Sequence, residues 1–357
     1  MHIVVGMSGG VDSSVAAYLL HKEGHKITGL FMKNWNEDDY LSHCAATQDE
    51  ADARTVCDRL GIALHTVNFA QQYWDNVFEY FLSEYKNNRT PNPDILCNKE
   101  IKFKTFLDHA LDLGADAIAT GHYAQIKLQS GKYELWCGVD DNKDQSYFLY
   151  QLNQHQLKHA LFPIGSYYKS KIREIARTQG FITHNKKDST GICFIGEKRF
   201  NDFLSQYLPA KPGRIESPEG EILGEHQGLM YYTIGQRKGL GLGGKADSVE
   251  KPWYVADKDA ASNTLIVVQG SNHPKLFKQR LKCQQVHWIS PPGPSSALMC
   301  LAKIRYRQAP QACTINIAEN TDELIVDFLE PQRAITPGQA IVFYNQKHCL
   351  GGATIVE

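Results

Sequence analysis

The sequence predicts an α/β protein with a parallel-sheet domain first, then a small β-rich unit and a C-terminal β-barrel. Three observations carry that reading. Short apolar runs alternate with helical periods from Ile3 to Thr120, the pattern of a parallel sheet flanked by helices. From Pro212 onward long helical periods vanish, Gly and Pro become frequent, and short β-like runs take over. The 357 residues, 42% of them hydrophobic, exceed one ordinary core and suggest two or three domains.

The elements follow in order. Ile3–Met7 reads as a buried strand, Ser8-Gly9-Gly10 as a turn, and Val11–Lys22 as a helix stopped at Gly24. Strands follow at Lys26–Met32, Ala63–Val67 and Asp116–Thr120, with helices at Thr47–Leu60, Tyr73–Lys86 and Phe103–Leu113. After about Gly121 the alternation decays into a β segment at Lys132–Val139 and a basic amphipathic helix at Lys169–Gln179. The first domain is placed at 1–208. A β-rich unit is placed at 209–277, on runs such as Trp253–Ala256 and Thr264–Gln269. The barrel at 278–357 rests on Leu298–Arg305, Thr314–Ile317, Glu323–Phe328 and Ala340–Tyr344, separated by turns such as Pro337-Gly338.

Composition narrows the function classes. Nine cysteines without a C-x-x-C pair argue against a disulfide framework and a zinc ribbon, so no structural metal is expected. Reduced thiols fit a cytoplasmic setting. No apolar run suits a membrane span, and the first residues do not read as a secretory leader. A net charge of −1 confines any nucleic-acid site to a local patch.

The strongest local motif is Ser8-Gly9-Gly10-Val11-Asp12-Ser13-Ser14, between a strand and a helix. Gly9 and Gly10 let backbone N–H groups approach an anion, and the helix N-terminus adds partial positive charge. Asp12 can cap the helix or help hold Mg²⁺ beside phosphates. The motif is not a Walker A loop and carries no lysine to clamp a γ-phosphate. It resembles the loop of the ATP pyrophosphatases, with Gly6, Met7, Ser8, Gly9, Gly10, Val11, Asp12 and Ser13 as nucleotide contacts. Met32, at the end of the second strand, can cover an adenine. Gly121, at the end of a later one, can admit the ribose or α-phosphate. Alone, Met32 reads as core and Gly121 as a turn; their place at the carboxyl ends of strands brings the nucleotide reading level with those.

Two cysteines stand in unusual contexts. Asp94 lies three residues before Cys97 in Asn92-Pro93-Asp94-Ile95-Leu96-Cys97-Asn98, so a helical turn beginning there puts both on one face. A carboxylate raises a neighbouring thiol's pKa, which makes Asp94 a better acid/base for substrate than a partner for a thiolate. Cys193 is flanked by Lys186, Lys187, Lys198 and Arg199, a setting that favours thiolate. Either cysteine alone reads as a buried inert side chain. With the phosphate loop they suit an activated base attacked by a persulfide and resolved by a second thiol.

These stretches, with Ala119-Thr120-Gly121-His122-Tyr123-Ala124, Lys143-Asp144-Gln145-Ser146-Tyr147, Ser189–Gly196 and Tyr232–Gly239, resemble the bacterial tRNA-specific 2-thiouridylase family in order along the whole chain. The resemblance implies a PP-loop, Rossmann-like adenine-nucleotide domain. It implies ATP with Mg²⁺, Cys193 as persulfide carrier, Cys97 as nucleophile, a transient Cys97–Cys193 disulfide and Asp94 as acid/base. The substrate would be the wobble uridine in the anticodon region of tRNAs for Lys, Glu and Gln, with sulfur from a relay protein or cysteine desulfurase. Asn92, Pro93, Asp94, His122, Lys143, Asp144, Gln145, Arg305, Tyr306 and Gln339 would meet the tRNA. Lys169, Lys171, Arg173 and Arg177 form a basic helix face suited to phosphates, although without the resemblance any such run reads as a solvated surface. The rival readings are a PP-loop ligase acting on a small metabolite, which has no need of the two cysteines, and a non-enzymatic RNA-binding module.

Overall fold

The computed structural model describes residues 1–35, 45–188, 203–243, 251–291, 297–317 and 323–357. The N-terminal strands are β1 (His2–Gly6), β2 (Lys26–Lys33), β3 (Leu64–Asn68) and β4 (Ala117–Ala119). A hairpin of β5 (Ala124–Gln129) and β6 (Lys132–Cys137) follows, then β7 (Ala160–Leu161). One sheet runs in the order β3-β2-β1-β4-β7, parallel throughout. Its central strand obeys the two-residue period of a pleated sheet. Ile3 and Val5 pack with α1 (Val11–Lys22) and α2 (Ala45–Leu60), while Val4 packs on the other face with Phe78, Phe103 and Phe106. The chain leaves β1 for β2 on one side and returns to β4 on the other. The crevice at that switch point lies beyond the carboxyl ends of β1 and β4, where such sheets hold ligands.

The helix after the Pro91-Asn92 turn starts earlier than its apolar period suggests. It runs over 93–112 as Pro93–Leu96, a wider π-helical stretch Cys97–Thr105, and Phe106–Asp112. Pro93 fits its first turn because the missing N–H is not needed there. Asp94 and Cys97, three residues apart, therefore lie within about one turn of this helix.

The central unit contains β8 (Gly213–Glu216), β9 (Ile222–His226), β10 (Trp253–Asp259) and β11 (Thr264–Gln269), ordered β10-β11-β8-β9. The last unit is β12 (Phe277–Trp288), β13 (Ala297–Lys303), β14 (Gln311–Ile317), β15 (Leu324–Arg333), β16 (Ala340–Asn345) and β17 (His348–Ile355). Antiparallel pairing in the order β12-β15-β14-β13-β16-β17, closed by β12 on β17, makes a six-stranded barrel.

The hairpin β5–β6 belongs by sequence to the first unit and by hydrogen bonding to the last. His348 pairs with Trp136 and Cys349 with Leu135, and the Trp136 ring stacks on His348 at 5.3 Å. Beside this seam Tyr147 donates to the Ala340 carbonyl at 2.8 Å, and Lys303 reaches Asp144 at 3.3 Å. The first domain and the barrel thus share a continuous sheet and a buried polar junction.

Candidate active site

Gly6 ends β1 and Met7 N–H donates to the Leu30 carbonyl, carrying the chain off the sheet toward α1. Gly9 has φ +69°, and a Cβ there would fall 2.2 Å from the Asp49 carbonyl, so only glycine fits. Gly10 is the N-cap of α1 and offers no side chain. The first-turn N–H groups therefore face the crevice without a side-chain cap, the arrangement an anion needs. Ser13 ties the loop by accepting from Ser8 N–H and donating to the Gly10 carbonyl at 3.2 Å. Ser14 Oγ donates to the same carbonyl at 2.8 Å and accepts from Thr183 at 3.1 Å. Val11 is core.

Asp12 does not cap the helix. It accepts from the Tyr123 hydroxyl at 2.8 Å and from Lys169 Nζ at 2.7 and 2.9 Å. Lys169 also reaches Asp188 at 2.8 Å, where Lys143 and Arg173 converge at 2.6 and 3.0 Å. Burial works against ionising Asp188, but Lys143 and Lys169 outweigh it and hold the carboxyl down to about 2. On the other side of the loop Lys186 donates to the Gly9 carbonyl at 3.0 Å and to Asp49 at 2.6 Å, and it also pairs with Asp52.

The motif carries no lysine of its own, yet two lysines from elsewhere in the chain reach its Asp12 and its Gly9 carbonyl. Lys169 and Lys186 are brought to it from more than 150 residues along the chain, too far for any local motif to announce them. They also divide the basic helix face expected at Lys169–Gln179. Lys169 and Arg173 turn inward, Lys171 pairs with Glu174, and Arg177 is exposed.

Gly121 makes its close approach to the protein itself. A Cβ there would lie 2.8 Å from the Asp12 carbonyl carbon and the Ser13 nitrogen, so it lets the loop after β4 rest on the first turn of α1. Met32 touches the space above Gly6, with its methyl 3.5 Å from a virtual Cβ, beside Phe106 at 3.3 Å. The next residue, His122, is buried, with Nδ1 2.7 Å from Thr120 Oγ1 and its ring between Phe103 and Phe162. Burial, with the charge of Lys102, holds it well below the ordinary imidazole range and therefore neutral.

The same Lys102 acts on Asp94, linking the 93–112 helix to this loop. Burial raises Asp94 above the usual carboxylate range, only partly offset by Lys102. Cys97, one turn on, is 1% exposed. Phe106 of the same helix abuts Gly6 and Met32, so Cys97 lies on the order of 10 Å along the helix from the end of β1. Cys193, Lys198 and Arg199 lie outside the described residues, and so does the expected Cys97–Cys193 pairing.

The turn carrying Asp94 is held from afar. Gln339 Nε2 donates to the Thr90 and Pro91 carbonyls at 2.8 and 3.3 Å, and Thr90 N–H donates to the Pro337 carbonyl at 2.9 Å. Thr233 Oγ1 lies 3.3 Å from Thr90 Oγ1. Pro93 is buried and Asn92 half-buried. The remaining candidates for RNA contact also make internal bonds. Asp144 is buried on the Gly138 and Ser146 N–H groups, and Gln145 Oε1 accepts from Tyr123 N–H at 3.0 Å. Arg305 donates to the Ile234 and Ala334 carbonyls at 3.0 Å, pinning the central unit to the barrel. Tyr306 lies 4.4 Å from the Phe148 ring, close to Lys143.

Family models match the chain end to end. A tRNA methyl transferase HUP domain covers residues 1–197, a tRNA methyl transferase PRC-barrel domain 201–269, and an aminomethyltransferase beta-barrel domain 278–355. The tRNA-specific 2-thiouridylase MnmA of Colwellia psychrerythraea is 59% identical over 356 residues, 99% of this chain and 95% of that protein. The Methylococcus capsulatus protein of the same name is 58% identical over 99% of this chain and 96% of its own length. This chain belongs to the tRNA-specific 2-thiouridylase family. Among solved structures, a 4-thiouridine synthetase in complex with RNA and ATP matches at 19% identity and TM-score 0.37, covering 58% of this chain and 50% of that one. Family membership embraces the barrel and central unit as well as the phosphate loop.

Proposed function

We propose that this protein is a tRNA-uridine 2-sulfurtransferase that uses ATP to replace the C2 oxygen of the wobble uridine of tRNAs for Lys, Glu and Gln by sulfur. The observation that carries the reading is near-complete alignment with 2-thiouridylases at 58–59% identity, joined to a phosphate loop and an Asp94–Cys97 turn in one domain. The small-metabolite ligase reading leaves that turn, and its anchoring by two further units, without a purpose.

ATP would lie with its phosphates at the uncapped first turn of α1, between Lys169 and Lys186. The uracil O2 attacks the α-phosphorus, the bond to the β-phosphate breaks, and pyrophosphate leaves. Asp94, with its pKa raised by burial, takes up the N3 proton as charge moves onto O2. The terminal sulfur of the Cys193 persulfide then adds at C2 and AMP departs. Cys97 thiolate attacks the Cys193 sulfur, leaving a Cys97–Cys193 disulfide and the thiolated base, so the two electrons taken from the thiols are those that reduce the transferred sulfur. A thiol reductant would first return the disulfide to two thiols, and a sulfur relay protein or cysteine desulfurase would then transfer sulfane sulfur from its own persulfide to Cys193.

Among the described residues no group of three His, Cys, Asp or Glu could hold a metal alone. Mg²⁺ is typically held by one or two carboxylates together with substrate phosphates; Asp12 would serve as that carboxylate by exchanging Lys169, which now holds both of its oxygens, and the ion would offset triphosphate charge. The unpaired wobble base reaches the pocket without unpairing cost, past Lys143 and Tyr306. The work on tRNA would take place in the cytoplasm; no described helix is long and apolar enough to cross a membrane.

The test supplies ATP, tRNA and a persulfide donor. AMP and pyrophosphate formed in step with 2-thiouridine are expected; ADP as the product would refute the adenylylation step.

A further inference from the structure

A second basic site lies where the three units meet. A cavity of about 200 Å³ is lined by Arg89 from the first domain, Asp257, Lys258 and Lys275 from the central unit, and Lys278 of the barrel. Four cations thus face a single carboxylate. Arg89 is committed to Glu84, to which Nε donates at 2.8 Å. Asp257 Oδ1 accepts from Lys258 N–H at 2.8 Å.

Lys258 is the informative group. Its Nζ donates to the Asn88 carbonyl at 3.0 Å, leaving two of three ammonium donors for the cavity. Burial alone lowers its pKa to about 8, with no carboxylate among the causes. A desolvated ammonium without a counter-charge is costly, and an arriving anion would offset that cost. The cavity has room for a phosphate with several waters, at roughly 30 Å³ per water.

The position gives the site a consequence. Its wall includes Asn88 and Thr90, the residues leading into the Asp94–Cys97 turn. Resting on the tRNA reading above, we propose that this junction binds a phosphate group, supplied by the RNA backbone, and thereby fixes the turn that carries Asp94 and Cys97. Free inorganic phosphate shares the chemistry and is the alternative source.

Two measurements on the full chain test this. In the first, Lys258 of the wild-type protein is labelled with an amine-acylating reagent near pH 8 and its modification is read by peptide mass spectrometry, with tRNA, with inorganic phosphate, or with chloride at matched ionic strength. Protection by tRNA at concentrations that saturate binding is expected, with phosphate protecting only at far higher concentration. In the second, tRNA affinity of the wild type and Lys258→Met is compared from 50 to 200 mM salt. The slope of log affinity against log salt should fall by about 0.7–0.9 in the variant, so that the wild-type advantage shrinks roughly threefold across that range. Protection by inorganic phosphate but not by bound tRNA would reject the RNA source. No protection by either, or an unchanged slope in a folded variant, would overturn the site. Failure of the wild type to bind tRNA at all would instead sink the functional reading, and the labelling with inorganic phosphate would still decide the cavity.

Discussion

The phosphate loop and the Asp94–Cys97 turn sit in one domain but are built in opposite ways. Within the loop, Ser8, Gly10, Ser13 and Ser14 bond one another across at most five residues. The turn is held by Gln339 and Pro337 of the barrel and Thr233 of the central unit, from 143 to 249 residues away. The loop thus has a local frame of its own, to which Thr183, Lys186, Lys169 and Tyr123 add contacts from afar. The turn is correct only when three units are assembled, which ties nucleophile placement to the surfaces that would receive the RNA.

Substitutions can separate the two. The largest effect should come from Cys97→Ser, which removes the resolving thiolate. Thiolation should fall at least about 10³-fold, while tRNA-dependent pyrophosphate release continues for a first turnover. Loss of pyrophosphate release as well would mean the turn and the loop are not separable. Next comes Lys169→Met, which removes the charge bridging Asp12 and Asp188. Pyrophosphate release should drop by ~10²–10³, as for loss of one preorganised charge partner, with tRNA affinity retained in a binding assay.

Gly338→Ala attacks the turn from the barrel. Its φ is +89° and a Cβ would sit 2.8 Å from Thr90 nitrogen, forcing residues 90–93 to shift. Thiolation should fall about tenfold, with the affinity for an ATP analogue unchanged in calorimetry. Equal loss of nucleotide binding would show that the two regions are one unit.

The smallest effect concerns stability. Because burial raises the Asp94 pKa in the folded protein, the native state holds this proton where the unfolded chain has lost it. Its contribution is therefore full below the unfolded carboxylate pKa and is lost as pH rises through the folded value. Asp94→Asn should raise Tm modestly at pH 7 and lose that advantage in acid, as a thermal melt at the two pH values would show. His122 has the opposite sign: its depressed pKa gives stability that is complete above the ordinary imidazole range and is lost as pH falls toward the folded pKa.

The same contrast explains what could be read from the sequence. The parallel sheet was legible because β1, β2 and β3 alternate with helices at short range, and the loop because its glycines and serines are contiguous. Asp94 and Cys97 were legible as an i, i+3 pair. Lys169 and Lys186 were not, because their partners lie on α1, α2 and the loop, far off in sequence. Gly121 reads in the sequence as room for a ligand; that its missing side chain also makes room for the helix carrying Asp12 is visible only in the fold. The hairpin β5–β6 gave only half its signal, at Lys132–Val139; its pairing to β17 across 212 residues, from Trp136 to His348, leaves no local trace. Asp144 and Arg305 look like charges offered to RNA in the sequence; the contacts that Lys303 makes to Asp144, and that Arg305 Nη2 makes to the Ile234 and Ala334 carbonyls, leave no local trace there.

The most direct measurement is a single turnover under non-reducing conditions with persulfidated protein, ATP and unmodified tRNA, followed by peptide mapping. The account predicts a Cys97–Cys193 disulfide formed in one-to-one proportion with AMP and 2-thiouridine. Thiolated tRNA released while both cysteines remain reduced would contradict it.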